Sequence, residues 1–94
     1  MKRLFGIRGA VCAENTKESI SLQTAEICRK LFSENSLSAA DIVSVQFTLT
    51  RDLDVFNPCA ALRANDVGID TSHIPLFCSQ EAYIKDGLEK VIRI

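Results

Sequence analysis

Across residues 42–50 the side chains alternate, with Val43, Val45, Phe47 and Leu49 on one side and Ser44, Gln46 and Thr48 on the other. A period of two sustained this long predicts a strand with one apolar and one polar face. Residues 2–9 alternate less cleanly, Leu4, Gly6 and Arg8 against Arg3, Phe5 and Ile7, and predict a first strand. Between the two, Asn15-Thr16-Lys17-Glu18 has the form of a capping box with Asn15 as N-cap. Ile20, Ala25, Ile27, Leu31 and Phe32 follow at helical spacing, so a long amphipathic helix is expected to about Ser33. Residues 36–41 read as a polar connection with room for one helical turn.

The second half continues the same grammar. Arg51-Asp52-Leu53-Asp54 reads as a loop, and Asn57-Pro58 starts a shorter helix, because Asn caps well and Pro suits the first helical position. That helix should reach about Asn65, before a turn at Gly68. Residues 74–80 and 88–94 read as a third and a fourth strand, joined through Lys85-Asp86-Gly87. The order βαβαββ, with no repeat or linker, predicts one α+β domain over residues 1–94, a mixed sheet with both helices packed on one face.

Composition adds an expectation about assembly. A 94-residue chain with 47% hydrophobic residues has more apolar surface than a small core consumes, which favours contacts between copies. The polar face of the 42–50 strand would suit such a contact. A formal charge of −1 argues against nucleic-acid binding, which needs a basic surface. No apolar run approaches the ~20 residues that cross a bilayer. After Lys2-Arg3, Gly9 and Glu14 interrupt any signal-like stretch. Cysteines at 12, 28, 59 and 78 form no C-x-x-C pair, and with a single histidine, His73, they make no convincing metal site. Their even number permits two disulfides, but without a secretion signal free thiols in a reducing cytoplasm are expected.

Three short segments hold the candidate chemistry: Gly6-Ile7-Arg8-Gly9-Ala10, Cys78-Ser79-Gln80-Glu81 and Val91-Ile92-Arg93-Ile94. Two arginines on expected strands and one carboxylate are suited to holding a small polyanion. Singly, each residue has a plainer reading: an arginine paired with a surface acid, a buried cysteine acting as a small hydrophobe, a solvated glutamate. Together, in this order and spacing, they resemble the trimeric α/β chorismate mutases of the Bacillus-like class. The resemblance runs through most of the chain. It implies a further C-terminal segment bearing a tyrosine beyond Ile94, so the sequence reads as a short form with a more open pocket and weaker catalysis.

That resemblance implies a reaction, the [3,3] rearrangement of chorismate to prephenate in aromatic amino-acid biosynthesis, without metal or cofactor. It implies that Arg8 binds a carboxylate, Arg93 faces the ether oxygen, Glu81 accepts a hydrogen bond from the ring hydroxyl and Cys78 lies beside that hydroxyl. It also implies that Arg63 approaches from the adjacent subunit of a homotrimer. The pocket wall is expected at Phe77, Asn57 and Ala60. Here Asn57-Pro58-Cys59-Ala60 replaces the Phe-Pro-Ala-Lys common in the family, with Phe56 one residue away. Two other readings stand beside this one: a catalytically weak relative that binds a small carboxylate, and an imine deaminase of the RidA-like type. Residues three apart on a straight strand face opposite sides, so Cys78 and Glu81 can share a site only across a bend.

Overall fold

The computed structural model describes residues 3–94, so Lys2, the expected start of the first strand, lies outside the described residues. The elements are β1 (Ala10–Cys12), α1 (Lys17–Glu34), a 3-10 turn (Ala39–Asp41), β2 (Val45–Leu49), α2 (Pro58–Ala64), β3 (Leu76–Gln80) and β4 (Val91–Arg93). The four strands form one mixed sheet in the order β1-β4-β2-β3. β4 runs antiparallel to both β1 and β2, and β2 and β3 are parallel. The expected α+β architecture is therefore the observed one.

Both helices close over the same side of the sheet. Ile20, Ala25, Cys28 and Phe32 of α1 and Leu62 of α2 meet Val45 and Phe47 of β2 and Ile92 of β4 in a single core. Phe47, Ile20, Leu62 and Ile92 are fully buried, and each such side chain contributes roughly 1.5–3 kcal/mol of burial. The alternation read from β2 holds from Val45 onward, with Val45 and Phe47 buried and Gln46 exposed. Val43, expected on the buried side, is exposed, because the extended backbone begins only after the 3-10 turn and a short bend. On the opposite face of the sheet, Cys12, Gln46, Phe77 and Arg93 are exposed, with no layer covering them among the described residues.

The strand expected over residues 2–9 lies at Ala10–Cys12 instead. Gly9 still exchanges two hydrogen bonds with Ile94, at 3.0 and 2.9 Å. Upstream of that pair, residues 3–8 pair with no strand among the described residues. Gly9 also lies against α1: a Cβ there would meet Leu31 Cδ1 at 3.1 Å and Ile27 Cδ1 at 3.3 Å. Leu4 and Phe5, 86% and 81% exposed, form an uncovered apolar arm.

Two further expectations shift by a residue or more. The N-cap of α1 is Thr16, whose hydroxyl accepts from Ser19 N at 3.1 Å. Asn15 is drawn away to the loop after β2: it donates to Asp54 Oδ1 at 2.8 Å and accepts from the amides of Asp54 and Val55. β4 begins at Val91, not at residue 88, because Asp86 and Lys90 have φ of 64° and 55°, which no extended strand accommodates. The second helix follows its sequence signature, with Asn57 Oδ1 accepting from Cys59 N at 2.8 Å and Pro58 opening the first turn.

Candidate active site

Thr48 and Arg93 are register partners across β2 and β4. Both side chains project from the face opposite Phe47 and Ile92, and both donate to one atom of Glu81. Thr48 Oγ1 reaches Oε1 at 3.1 Å, and Arg93 Nε reaches the same oxygen at 3.2 Å. Glu81 stands one residue beyond β3, where its amide still donates to Leu49 O at 2.9 Å and so continues the parallel ladder. The Arg93 side chain is 48% exposed and that of Glu81 25%. Among the described residues Arg93 engages only Nε, so its two terminal nitrogens keep their donors for a ligand.

Arg8 is exposed on the arm that leads into β1, and no ion pair holds it among the described residues. Its guanidinium folds back over Gly6, within 3.6 Å of where a Cβ would stand. Glu81 and Arg93 border an open cleft of about 690 Å³, walled by the loop that carries Tyr83, Lys85 and Leu88. Arg51 stacks 3.5 Å from the centre of the Tyr83 ring and ties that loop to the end of β2.

Cys78 does not join this cluster. Its register partner on β2 is Phe47, so it faces the core side of the sheet, and Glu81 lies with Thr48 on the other. No bend between Cys78 and Glu81 brings them together. Cys78 lines a second, shallower depression with Leu49, Phe56 and Asn57. Burial, and then the neighbouring Cys59, push its thiol above the ordinary range. Burial also pushes Cys59 upward, against the opposing charge of Arg63.

The remaining expected site residues divide between these surfaces. Asn57 borders the second depression, but its side-chain oxygen is committed to capping α2. Ala60 is exposed on α2. Arg63, in the last turn of α2, donates to the carbonyls of Thr71 and Ile74, the latter at 2.8 Å, and so braces the approach to β3. Phe77 is 59% exposed and borders neither depression; it lies opposite Gln46 on the uncovered face of the sheet.

Two groups of functional interest were not singled out from the sequence. Thr48 was placed on the polar face of its strand, but nothing local reveals that its partner is Glu81, 33 positions away. Asp52 was read as loop. In the structure its carboxylate accepts from Thr50 Oγ1 at 2.5 Å and from Lys90 N through both oxygens, at 3.1 and 3.0 Å. The Thr50 hydroxyl, followed by desolvation working the other way and the Lys90 amide, accounts for an Asp52 carboxyl held below its usual range.

A mixed sheet with both helices on one side and an Arg93–Glu81 ion pair on the other defines an α+β protein. The chain belongs to the chorismate mutase type I family, whose model matches residues 4–94. It is 33% identical over 90 residues to chorismate mutase AroH of Bacillus subtilis (strain 168), an alignment covering 95% of this chain and 68% of that protein. The solved structure of a chorismate mutase from Clostridium thermocellum superposes with a TM-score of 0.87 at 33% identity, over 96% of this chain and 78% of that one. Of the two enzyme families weighed from the sequence, the match is to the mutases.

Proposed function

We propose that this chain converts chorismate to prephenate in aromatic amino-acid biosynthesis, at clefts formed between copies of itself. The reaction is intramolecular: one C–O bond breaks as one C–C bond forms, and no group is transferred to the protein. The protein must hold a flexible dicarboxylate in its reactive conformation and stabilise negative charge growing on the ether oxygen. Arg93 supplies the cation at that oxygen, Arg8 binds a carboxylate, and Glu81 accepts the ring hydroxyl's proton in a hydrogen bond. The convergence of Thr48 and Arg93 on Glu81 carries this reading, because it holds the Arg93 guanidinium in one orientation with its terminal donors unspent.

The separation of Cys78 from Glu81 supports an intersubunit cleft. Cys78, Phe56 and Asn57 border one depression, and Glu81 and Arg93 border another that shares none of its lining residues. A ligand on Arg93 of one copy would therefore meet Cys78 and Asn57 only on a neighbour. The exposed arm at Leu4 and Phe5 and the bare sheet face around Phe77 supply apolar surface for a closed homotrimer. The four cysteines are free, which agrees with action in the reducing cytoplasm.

The test is direct. Purified protein is given chorismate, and its disappearance is followed together with the formation of prephenate. Arg93→Ala should reduce turnover by roughly a hundredfold or more, as loss of a transition-state donor does, with its fold intact by circular dichroism. A folded Arg93→Ala protein that keeps its turnover rejects the proposed role of Arg93.

A further inference from the structure

Arg93 is aimed only as well as β4 is registered against β2. β4 is three residues long, and Ile94 beyond it pairs with Gly9. At the other end stands Lys90, in the left-handed region at φ 55°. No glycine eases that conformation, so other contacts must hold it.

Asp52 provides the main one. Both of its oxygens accept from Lys90 N, and one also accepts from Thr50 Oγ1. The Thr50 hydroxyl in turn accepts from Val91 N at 3.0 Å, and Thr50 N donates to Val91 O at 3.0 Å. Thr50 therefore closes on Val91 from both sides and extends the register that sets Leu49 against Ile92 and Thr48 against Arg93. Lys90 also carries the strand toward β1: its carbonyl accepts from Ala13 N at 3.0 Å, and its ammonium pairs with Glu14 at 3.0 Å.

We infer that Asp52 is a positioning residue for catalysis, which pins Lys90 and Thr50 so that β4 presents Arg93 to the substrate in one register. The inference rests on the reading of Arg93 given above. Asp52 borders the same cleft as Glu81 and Arg93, but its oxygens are taken up by Lys90 N and Thr50 Oγ1, and it bonds neither Glu81 nor Arg93 among the described residues.

The experiment compares Asp52→Ala, Asp52→Asn, Arg93→Lys and the double variant Asp52→Ala/Arg93→Lys for kcat and KM, well below each unfolding midpoint. Asp52→Ala should lower kcat by about tenfold, the scale of loss expected when a reacting group is slightly misplaced. KM should stay within about twofold, because ground-state binding is not what Asp52 serves. Asp52→Asn, which retains one acceptor oxygen, should recover part of the loss, and it carries the comparison if the alanine variant does not fold. In the double variant the Asp52 change should cost less than about twofold beyond Arg93→Lys alone, since both act through one group. Unchanged kcat in both Asp52 variants, with Arg93→Lys impaired, overturns the inference and leaves Arg93 in place. A full additive loss in the double variant overturns it too. Normal turnover in Arg93→Lys removes both the role of Arg93 and the inference built on it.

Discussion

Thr48 and Arg93 face each other across β2 and β4 and deliver their donors to the same oxygen of Glu81, at 3.1 and 3.2 Å. A threonine hydroxyl and a guanidinium sharing one acceptor leave Oε2 of Glu81 as the oxygen available to a ligand hydroxyl. The pair is half open to water, so its value lies in orientation more than in stability.

Glu81→Gln separates these two contributions. An exposed ion pair stabilises by at most about 1 kcal/mol, so thermal unfolding should move little. Turnover should fall by about tenfold or more, because Arg93 loses its charged anchor and the substrate hydroxyl loses its best acceptor. Steady-state kinetics and a melting curve on the same preparation check both halves. A large drop in the melting midpoint with unchanged kcat would show a structural carboxylate instead.

Arg8 should behave differently from Arg93. It is exposed, lies on the arm before β1 and takes no ion-pair partner among the described residues. Arg8→Ala should raise KM more than it lowers kcat, the pattern of lost ground-state binding. Substrate binding in the unmodified protein should also weaken as salt rises, since exposed charges are screened over about 10 Å at 0.1 M. Titrations at several ionic strengths, with and without Arg8, test the point.

The two residues before α1 have separable roles. Thr16→Ala removes the cap and should cost about 1 kcal/mol, a fall in Tm of about 4–8 °C for a domain this small. Asn15→Ala should leave the cap intact and free the loop after β2. Amide exchange distinguishes them: Ser19 should lose protection in the first variant, Asp54 and Val55 in the second. The reverse assignment would restore Asn15 as the cap.

Cys28 should be chemically silent in the folded state. Burial pushes its thiol from an ordinary 9.0 to about 12, whereas Cys12 is exposed. A thiol reagent at mild alkaline pH should modify Cys12 first and Cys28 only on unfolding. The linkage has a definite sign. The folded state keeps the Cys28 proton over a range where the unfolded state releases it, so the stabilisation is complete below pH 9 and drains away as pH rises toward 12. Chemical denaturation across that window in Cys28→Ala, compared with the parent, checks the slope.

How much of this could be read from the sequence depended on how local each cause was. The Asn57-Pro58 start of α2 acts within three residues, and the structure has it as written. The alternation at Val45, Gln46 and Phe47 needs only a sheet with one covered side, and it too is present. Thr16 and Asn15 were interchanged because Asn15 is claimed by a loop 39 residues away, a partner that no capping rule contains. Residues 3–8 carry strand alternation without a strand, since alternation states which faces differ and not whether a neighbour exists to pair with. At the site, Arg93 and Glu81 were legible as a set and do meet. Cys78 was attached to them by the family resemblance, but the period of the strand sends it to the other side of the sheet, as its spacing from Glu81 warned.

The uncovered face of the sheet has a consequence for how this chain exists at all. In the homotrimer proposed above, Phe77 on the bare sheet and Leu4 and Phe5 on the bare arm would be covered by neighbouring copies. Folding and association would then be one equilibrium governed by mass action, with the stability of each copy set by how many others are present. For such an assembly dilution alone acts as a denaturant.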